Sequence, residues 1–182
     1  MDIYLSGGWI LTVDKSRNVI KDGAVAIEDE EIIDIGKKEI MDMKYKGRAD
    51  IEIDCKKCII MPGLINTHVH LVQALLRSCA DYRKLYQWLV ERVWVLEGSY
   101  NPNEALVSAK LAILEMIKSG TTTFLETFLL DRYGPDQIIE FILKAGIRAA
   151  VSRQIVDVTQ EGSRIEGAYS SGYLEKGLPP YL

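Results

Sequence analysis

The stretch IIMPGLINTHVH occupies residues 59–70 and contains both histidines of the 182-residue chain. Its two apolar runs, on either side of Pro62-Gly63, show no polar face, which is typical of a strand buried on both sides. His68 and His70 lie two residues apart at the end of the second run. Because alternate side chains of a strand lie on one face, the sequence predicts that the two imidazoles converge.

Two interpretations of this histidine pair remain open on spacing alone. At the carboxyl end of a buried parallel strand, two imidazole nitrogens could bind Zn²⁺ or a similar ion on the ligand-binding side of a barrel. Alternatively, the histidines cap the strand and bond to neighbouring carbonyl groups. A stable zinc site uses three or four ligands, and this motif supplies two.

The first 60 residues contain short β-branched and aromatic runs without a helical period. Val25 and Ile27 alternate with small or charged residues, and Ile51 and Ile53 alternate with acidic ones. This alternation predicts half-buried antiparallel strands. Residues 37–46 are charged and contain methionine, and they are compatible with a short surface helix or with a loop.

After His70 the chain alternates between helical and strand patterns. Asn101, followed by Pro102 and by Glu104, is typical of a helix N-terminus. The predicted helices cover 71–79, 85–96, 102–119 and 135–144, and the predicted strands cover 121–125 and 147–155. Such alternation indicates βαβ units with parallel strands, as in a doubly wound sheet or a (β/α)8 barrel. Residues 162–182 show no period and predict an irregular tail.

Composition excludes several classes of protein. A formal charge of -4 without a basic run argues against a nucleic-acid partner. The apolar runs are far shorter than the roughly 20 residues of a membrane helix, and Asp2 stands where a secretory leader would be basic. Three cysteines do not suggest a disulfide framework. We therefore expect a soluble cytoplasmic protein that does not contact a membrane.

The segment 60–71 resembles the first barrel strand of the amidohydrolase superfamily. Further similarity, to the branch that contains triazine hydrolases and methylthioadenosine/S-adenosylhomocysteine deaminases, comes from residues 74–77, 85–89, Glu97 and 119–124. The resemblance implies an α/β fold in which a small N-terminal β-sandwich segment precedes the first three β/α units of a (β/α)8 metal-dependent hydrolase barrel. We place these parts at residues 1–59 and 60–161, followed by the tail at 162–182.

The resemblance also implies roles for individual residues. His68 and His70 would bind Zn²⁺, or another divalent metal such as Fe²⁺. Glu97 would accept hydrogen bonds from ribose hydroxyls, and Trp88 would be a pocket aromatic. Arg153 and Arg164 would receive a substrate carboxylate. The alternatives are a surface acid for Glu97, a core residue for Trp88 and solvated side chains for the two arginines.

Two more residues follow the predicted strand at 121–125, namely Glu126 and Thr127. The carboxyl end of a barrel strand is the catalytic side, so these residues face that side if the barrel interpretation holds. The alternative is a loop position in which they make an ordinary hydrogen bond.

The resemblance also implies an incomplete site. The family takes further histidines and an aspartate from later barrel strands, whereas this chain has no third histidine, and three strands cannot close a barrel of roughly 200 residues or more. We expect the amino-terminal portion of an aminohydrolase that acts on a purine nucleoside such as S-adenosylhomocysteine or methylthioadenosine, inactive by itself. Alternatives are a triazine-type chlorohydrolase, a guanine- or 8-oxoguanine-type deaminase, or an inactive fragment that binds or dimerises. Its partners would be a small-molecule substrate and either a second copy or a missing C-terminal half.

Overall fold

A computed structural model describes residues 1–154, and the chain divides into two compact units. The first unit is Met1–Pro62, and the second begins at Gly63. The first contains strands β1 (Ile3–Leu11), β2 (Val19–Glu28), β3 (Glu31–Lys37), β4 (Ile51–Asp54) and β5 (Ile59–Ile60), with helix α1 (Lys38–Tyr45). The second contains strands β6 (Leu64–Val69), β7 (Thr121–Leu129) and β8 (Arg148–Arg153), with helices α2 (Leu85–Trp88), α3 (Trp94–Ser99), α4 (Pro102–Lys118) and α5 (Pro135–Ala145).

The first unit is built on one sheet with the strand order β3-β2-β1-β4, and β5 also pairs with β1. Strands β1, β2 and β3 are antiparallel neighbours, as predicted. Strand β4 pairs with β1 in parallel, so the antiparallel prediction for Ile51 and Ile53 is wrong. Helix α1 stands between β3 and β4 and turns the chain around, which lets β4 run in the direction of β1.

The two faces of this sheet differ in burial. Tyr4, Ala24 and Ala26 pack with Met41 of α1 to form the core of the unit. The sequence of residues 37–46 was compatible with a helix or a loop. The structure has helix α1 there, and it covers one face of the sheet. The other face bears paired apolar residues from four strands, and Ile51 and Ile53 on it are exposed rather than half-buried.

The second unit begins with a parallel sheet in the order β6-β7-β8. Helix α4 connects the region of β6 to β7, and α5 connects β7 to β8. Their apolar faces form the main core with Phe124 and Leu129 of β7. The predicted alternation of strands and helices is confirmed across residues 64–153.

Strand β6 is not buried on both sides, which corrects the prediction from its apolar run. Leu64 and Ile65 are 48% and 68% exposed, because β6 is an edge strand that pairs only with β7 in the described part of the chain. The first apolar run, Ile59–Ile60, belongs to the other sheet as β5. Apolar composition predicted the strands but not which neighbours would cover them.

The helices begin and end largely where local signals place them. Asn101 caps α4, since its side chain accepts from the backbone N–H groups of Asn103 and Glu104 while the Glu104 side chain accepts from the N–H of Asn101. The predicted helix at 71–79 is shorter, a 3-10 helix over Leu71–Leu76, and the one at 85–96 contains a π-helical turn over Leu89–Val93. No helix within residues 1–154 is both long and apolar enough to cross a membrane.

Candidate metal and substrate site

The two histidines converge at the carboxyl end of β6, as their spacing predicts. Their Nε2 atoms lie 3.2 Å apart, and the rings meet edge to face with 4.8 Å between centroids. His68 is exposed and His70 is half-buried. Burial, followed by the charge of His68, lowers the pKa of His70 below its ordinary value, which favours the neutral imidazole that binds a metal.

The donor pair is compatible with a shared metal ion. Two nitrogen ligands of a tetrahedral zinc, each about 2.0–2.1 Å from the metal, lie roughly 3.3 Å apart, close to the observed separation of the two Nε2 atoms. Within residues 1–154, however, no group of three or more His, Cys, Asp or Glu side chains is arranged to hold a metal. The described residues therefore offer at most two of the three or four ligands that a stable zinc site uses.

The end of strand β7 surrounds His70. The ring of Phe128 meets the imidazole edge to face at 5.2 Å between centroids, and the Oγ1 of Thr127 lies 3.5 Å from Nδ1. Thr127 belongs to β7 itself rather than to a loop after the strand. Its hydroxyl and the Phe128 ring leave the Nε2 atom facing His68.

Glu126, one residue earlier, is fully buried. Its carboxylate oxygens accept hydrogen bonds from the backbone N–H groups of Leu71, at 2.6 Å, and of Phe128, at 2.7 Å. Burial raises the pKa of Glu126 to about 7, although these backbone donors act in the opposite direction. Like Thr127, it lies inside β7, not after the strand as the sequence suggested.

Glu97 lies in α3 and is only 2% exposed, so the alternative of a surface acid is wrong. Its Oε1 atom is buried and has no hydrogen-bond partner in the described chain. Burial raises the pKa of Glu97 to about 7, while the Gln73 side chain and the positive charge of Arg132 lower it and the charge of Glu126 raises it further. A buried carboxylate oxygen without a donor is costly, which suggests a ligand that supplies one.

An open cleft of 530 Å³ connects the histidines with the surface of α4. Its walls include His68, His70 and Gln73. Gln73 also lines a recess of 240 Å³ beside the half-buried Trp88. Trp88 is therefore at the edge of a cavity and not inside the main core. Gln73 and Arg132 had no local sequence signal, because their importance depends on neighbours distant in the chain.

Of the two predicted arginines, only Arg153 lies among the described residues. Arg153, the last residue of β8, is exposed and forms an ion pair with Asp131. Its position at the carboxyl end of a strand agrees with the sequence, and its guanidinium is paired rather than simply solvated. Arg164 lies outside the described residues, as does the tail predicted at 162–182.

Residues 59–176 match the amidohydrolase family. The chain belongs to that family. The 5-methylthioadenosine/S-adenosylhomocysteine deaminase of Bacillus cereus (strain AH820) is 38% identical to this amidohydrolase over 156 residues, which are 85% of this chain and 35% of the relative. The chain thus spans about a third of the length of the curated relatives it matches.

Solved structures with the same fold include two zinc complexes. An adenosine deaminase from Xanthomonas campestris with bound zinc matches with a TM-score of 0.79 and 26% identity, over 96% of this chain and 39% of that one. An atrazine chlorohydrolase from Arthrobacter aurescens, complexed with zinc, matches with a TM-score of 0.72 and 24% identity, over 87% of this chain and 37% of that one. The amidohydrolase resemblance inferred from residues 60–71 is therefore confirmed.

Proposed function

We propose that this amidohydrolase chain forms the first part of a metal-dependent aminohydrolase of a purine nucleoside such as S-adenosylhomocysteine or methylthioadenosine. The observation that carries the proposal is the 3.2 Å approach of the Nε2 atoms of His68 and His70 at the carboxyl end of a parallel strand. Zinc in two relatives of the same fold favours Zn²⁺, with Fe²⁺ as the alternative. A divalent metal there would act as a Lewis acid and make a water molecule nucleophilic near neutral pH.

Glu97 is proposed to bind the sugar. A carboxylate can accept two hydroxyl hydrogen bonds from a ribose diol at once. The buried Oε1 atom without a partner supports this role, since a bound hydroxyl would supply the missing donor. Trp88 would contribute an aromatic wall, and Arg153 and Arg164 would receive a substrate carboxylate. Arg153 would have to exchange Asp131 for that carboxylate.

Catalysis is proposed to need polypeptide beyond the residues present here. The family resemblance implies two more histidines and an aspartate from later barrel strands, and the chain has only two histidines. In this proposal, residues 1–59 are part of a β-sandwich, residues 60–161 begin a (β/α)8 barrel, and a C-terminal half completes both. We expect the 182-residue chain alone to release no ammonia from S-adenosylhomocysteine above a control without protein.

Zinc binding tests the ligand assignment. The unmodified chain, His68→Ala, His70→Ala and the double variant are titrated with Zn²⁺ against a chromophoric chelator. We expect each single variant to weaken binding at least about tenfold and the double variant to abolish it. Cys58→Ser is the control, because Cys55 and Cys58 are free cysteines close in sequence to the histidines, and thiolates also bind zinc. Loss of zinc in Cys58→Ser, or its retention in the double histidine variant, would contradict the assignment.

A binding or dimerising module is a second candidate, and the uncovered face of the first unit favours it. Across β4, β1, β2 and β3, one row of paired residues is Ile51, Ile3, Ile27 and Ile32, and the next is Ile53, Leu5, Val25 and Ile35. Paired residues share a face, and the four at the outer strands are 38–64% exposed. A second copy that places the same face against this one would bury these side chains.

Sedimentation velocity separates the two candidates. If the face mediates self-association, the unmodified chain will sediment as a dimer and the Ile53→Lys variant will contain a larger fraction of monomer. Glu31→Gln changes the charge by the same amount on an exposed residue of β3, and we expect it to leave the distribution unchanged. An unmodified chain that stays monomeric at high micromolar concentration would remove the second candidate.

A further inference from the structure

Glu126 is bound to backbone groups that the sheet leaves unpaired. It lies opposite Val69 across the β6–β7 pairing. The pairing shifts register between Asn66 and Val69 on one side, and the β7–β8 pairing shifts between Glu126 and Leu129 on the other. At this double irregularity the carboxylate accepts the N–H groups of Leu71 and Phe128. The side chain thus satisfies one N–H inside the irregular part of β7 and one at the start of the 3-10 helix that follows β6.

Both of these N–H groups belong to neighbours of His70. Leu71 follows His70 in the chain, and Phe128 meets the His70 ring edge to face. Two of the contacts that set the position of the imidazole are therefore tied to one carboxylate. Burying a carboxylate costs free energy unless several donors compensate it. That cost suggests a role that an apolar residue could not perform.

We propose that Glu126 is the positioning residue of the metal pair: by holding Leu71 and Phe128, it fixes the His70 ring so that its Nε2 atom faces that of His68. This inference rests on the proposed metal role of the histidines. Groups that orient metal ligands typically change metal affinity by 10–100-fold when they are removed, without touching the metal.

A merely structural role is the alternative, and Ser108 provides the matched control for it. Ser108 is fully buried, and its hydroxyl donates to the carbonyl of Val72, at 2.8 Å, and accepts from the N–H of Leu75, at 3.2 Å. It binds the same 3-10 helix as Glu126 does, and its hydroxyl also lies 3.2 Å from the carbonyl of Leu71, but none of its described hydrogen bonds reaches Phe128. Ser108→Ala therefore removes buried hydrogen bonds from this helix while leaving the Glu126 contacts intact.

The experiment compares Glu126→Gln with Ser108→Ala in the 182-residue chain. The glutamine has the same shape, but its amide nitrogen cannot accept an N–H, so one of the two backbone bonds is lost. Zinc affinity is measured by chelator competition, and the imidazole ¹⁵N signals are recorded without metal. Because the chain has only two histidines, each signal is assigned with one histidine variant.

We expect Glu126→Gln to weaken zinc binding at least about tenfold and to shift the His70 signals of the metal-free protein. Ser108→Ala should leave zinc affinity within twofold and the His70 signals unshifted, even when it lowers the unfolding midpoint as much as Glu126→Gln does. Equal effects of the two variants would overturn the proposal. If the unmodified chain binds no zinc at its histidines, the proposed function fails, whereas the metal-free imidazole signals still decide the role of Glu126.

Should Glu126→Gln fail to fold, the unmodified chain gives a second measurement. The Leu71 and Phe128 amide protons should exchange with solvent at least about tenfold more slowly than the amide proton of the exposed residue Tyr82, because each is bound to a buried carboxylate. Exchange of either proton at the rate of the Tyr82 amide would contradict the arrangement on which the proposal depends.

Discussion

The guanidinium of Arg132 donates a hydrogen bond to the backbone carbonyl of Gly98, the residue after Glu97. Arg132 belongs to the 3-10 helix that follows β7, and Gly98 belongs to α3. This bond ties the turn that carries the buried carboxylate to the carboxyl end of the sheet. It also brings a positive charge close enough to lower the pKa of Glu97, against the larger effect of burial.

Glu97→Gln should make stability less dependent on pH. The pKa of Glu97 is about 7 in the fold, above its ordinary value of 4.5, so the native state binds more protons than the unfolded state between these values. The free energy of unfolding therefore falls as pH rises through this window. Glutamine carries no charge. Between pH 4.5 and 8, we therefore expect the free energy of unfolding of the variant to fall by up to about 3 kcal/mol less than that of the unmodified chain.

Urea unfolding at pH 4.5, 6 and 8 measures this difference. Glu91→Gln is the control, because the Glu91 side chain is 50% exposed and pairs with Arg83. It should retain the pH dependence of the unmodified chain. The same dependence in Glu97→Gln would show that the buried carboxyl does not titrate in this window.

Arg132→Met should raise the pKa of Glu97 above about 7, since it removes the nearby positive charge that opposes burial. The decline in stability with pH would then extend to higher pH. Titration of the Glu97 carboxyl carbon by NMR measures the midpoint directly. Arg132→Lys retains the charge but not the planar fork, and we expect an intermediate midpoint. A midpoint in Arg132→Met at or below that of the unmodified chain would be inconsistent with this account.

Asn101→Ala should destabilise the chain by about 1 kcal/mol, the usual cost of a lost N-cap. The Asn101 side chain accepts two backbone N–H groups at the start of α4. Chemical denaturation monitored by circular dichroism gives the change. Asn103→Ala is the control within the same turn, because Asn103 contributes its backbone N–H to this cap. Its cost should be less than half that of Asn101→Ala, and equal costs would argue against the cap as the cause.

Gly63→Ala should destabilise the second unit by about 1–3 kcal/mol through overpacking. A Cβ at this position would lie 2.7 Å from the Cβ of Thr122 and even closer to the rest of its side chain. Adding Thr122→Gly should recover part of the loss. Gly36→Ala is a matched control in a strand, since its Cβ would meet Met41 at an ordinary 3.6 Å. Thermal unfolding of the unmodified chain and these three variants tests the clash, and a Gly63→Ala variant as stable as the unmodified chain would disprove it.

Part of the candidate site follows from local sequence. His68 and His70 share a face because they are two residues apart on a strand, and this convergence was predictable. The surroundings of Glu97 were not predictable, because the Gln73 side chain and the charge of Arg132 that act on it come from more than 20 positions away. The sequence placed Glu126 just after its strand, whereas it lies within β7, and its bond to Leu71 joins residues 55 positions apart.

The sequence alone determined those features that depend on residues close together in the chain. Helix α4 has its cap, its apolar face and a glycine at its end within one segment, and the alternation of strands and helices after His70 follows from periodicity. The direction of β4 and the exposure of β6 depend on tertiary structure. The pattern of a strand shows which of its side chains are apolar. Which strand pairs with it, and which element buries its apolar side chains, depends on hydrogen bonds and packing between segments far apart in the chain.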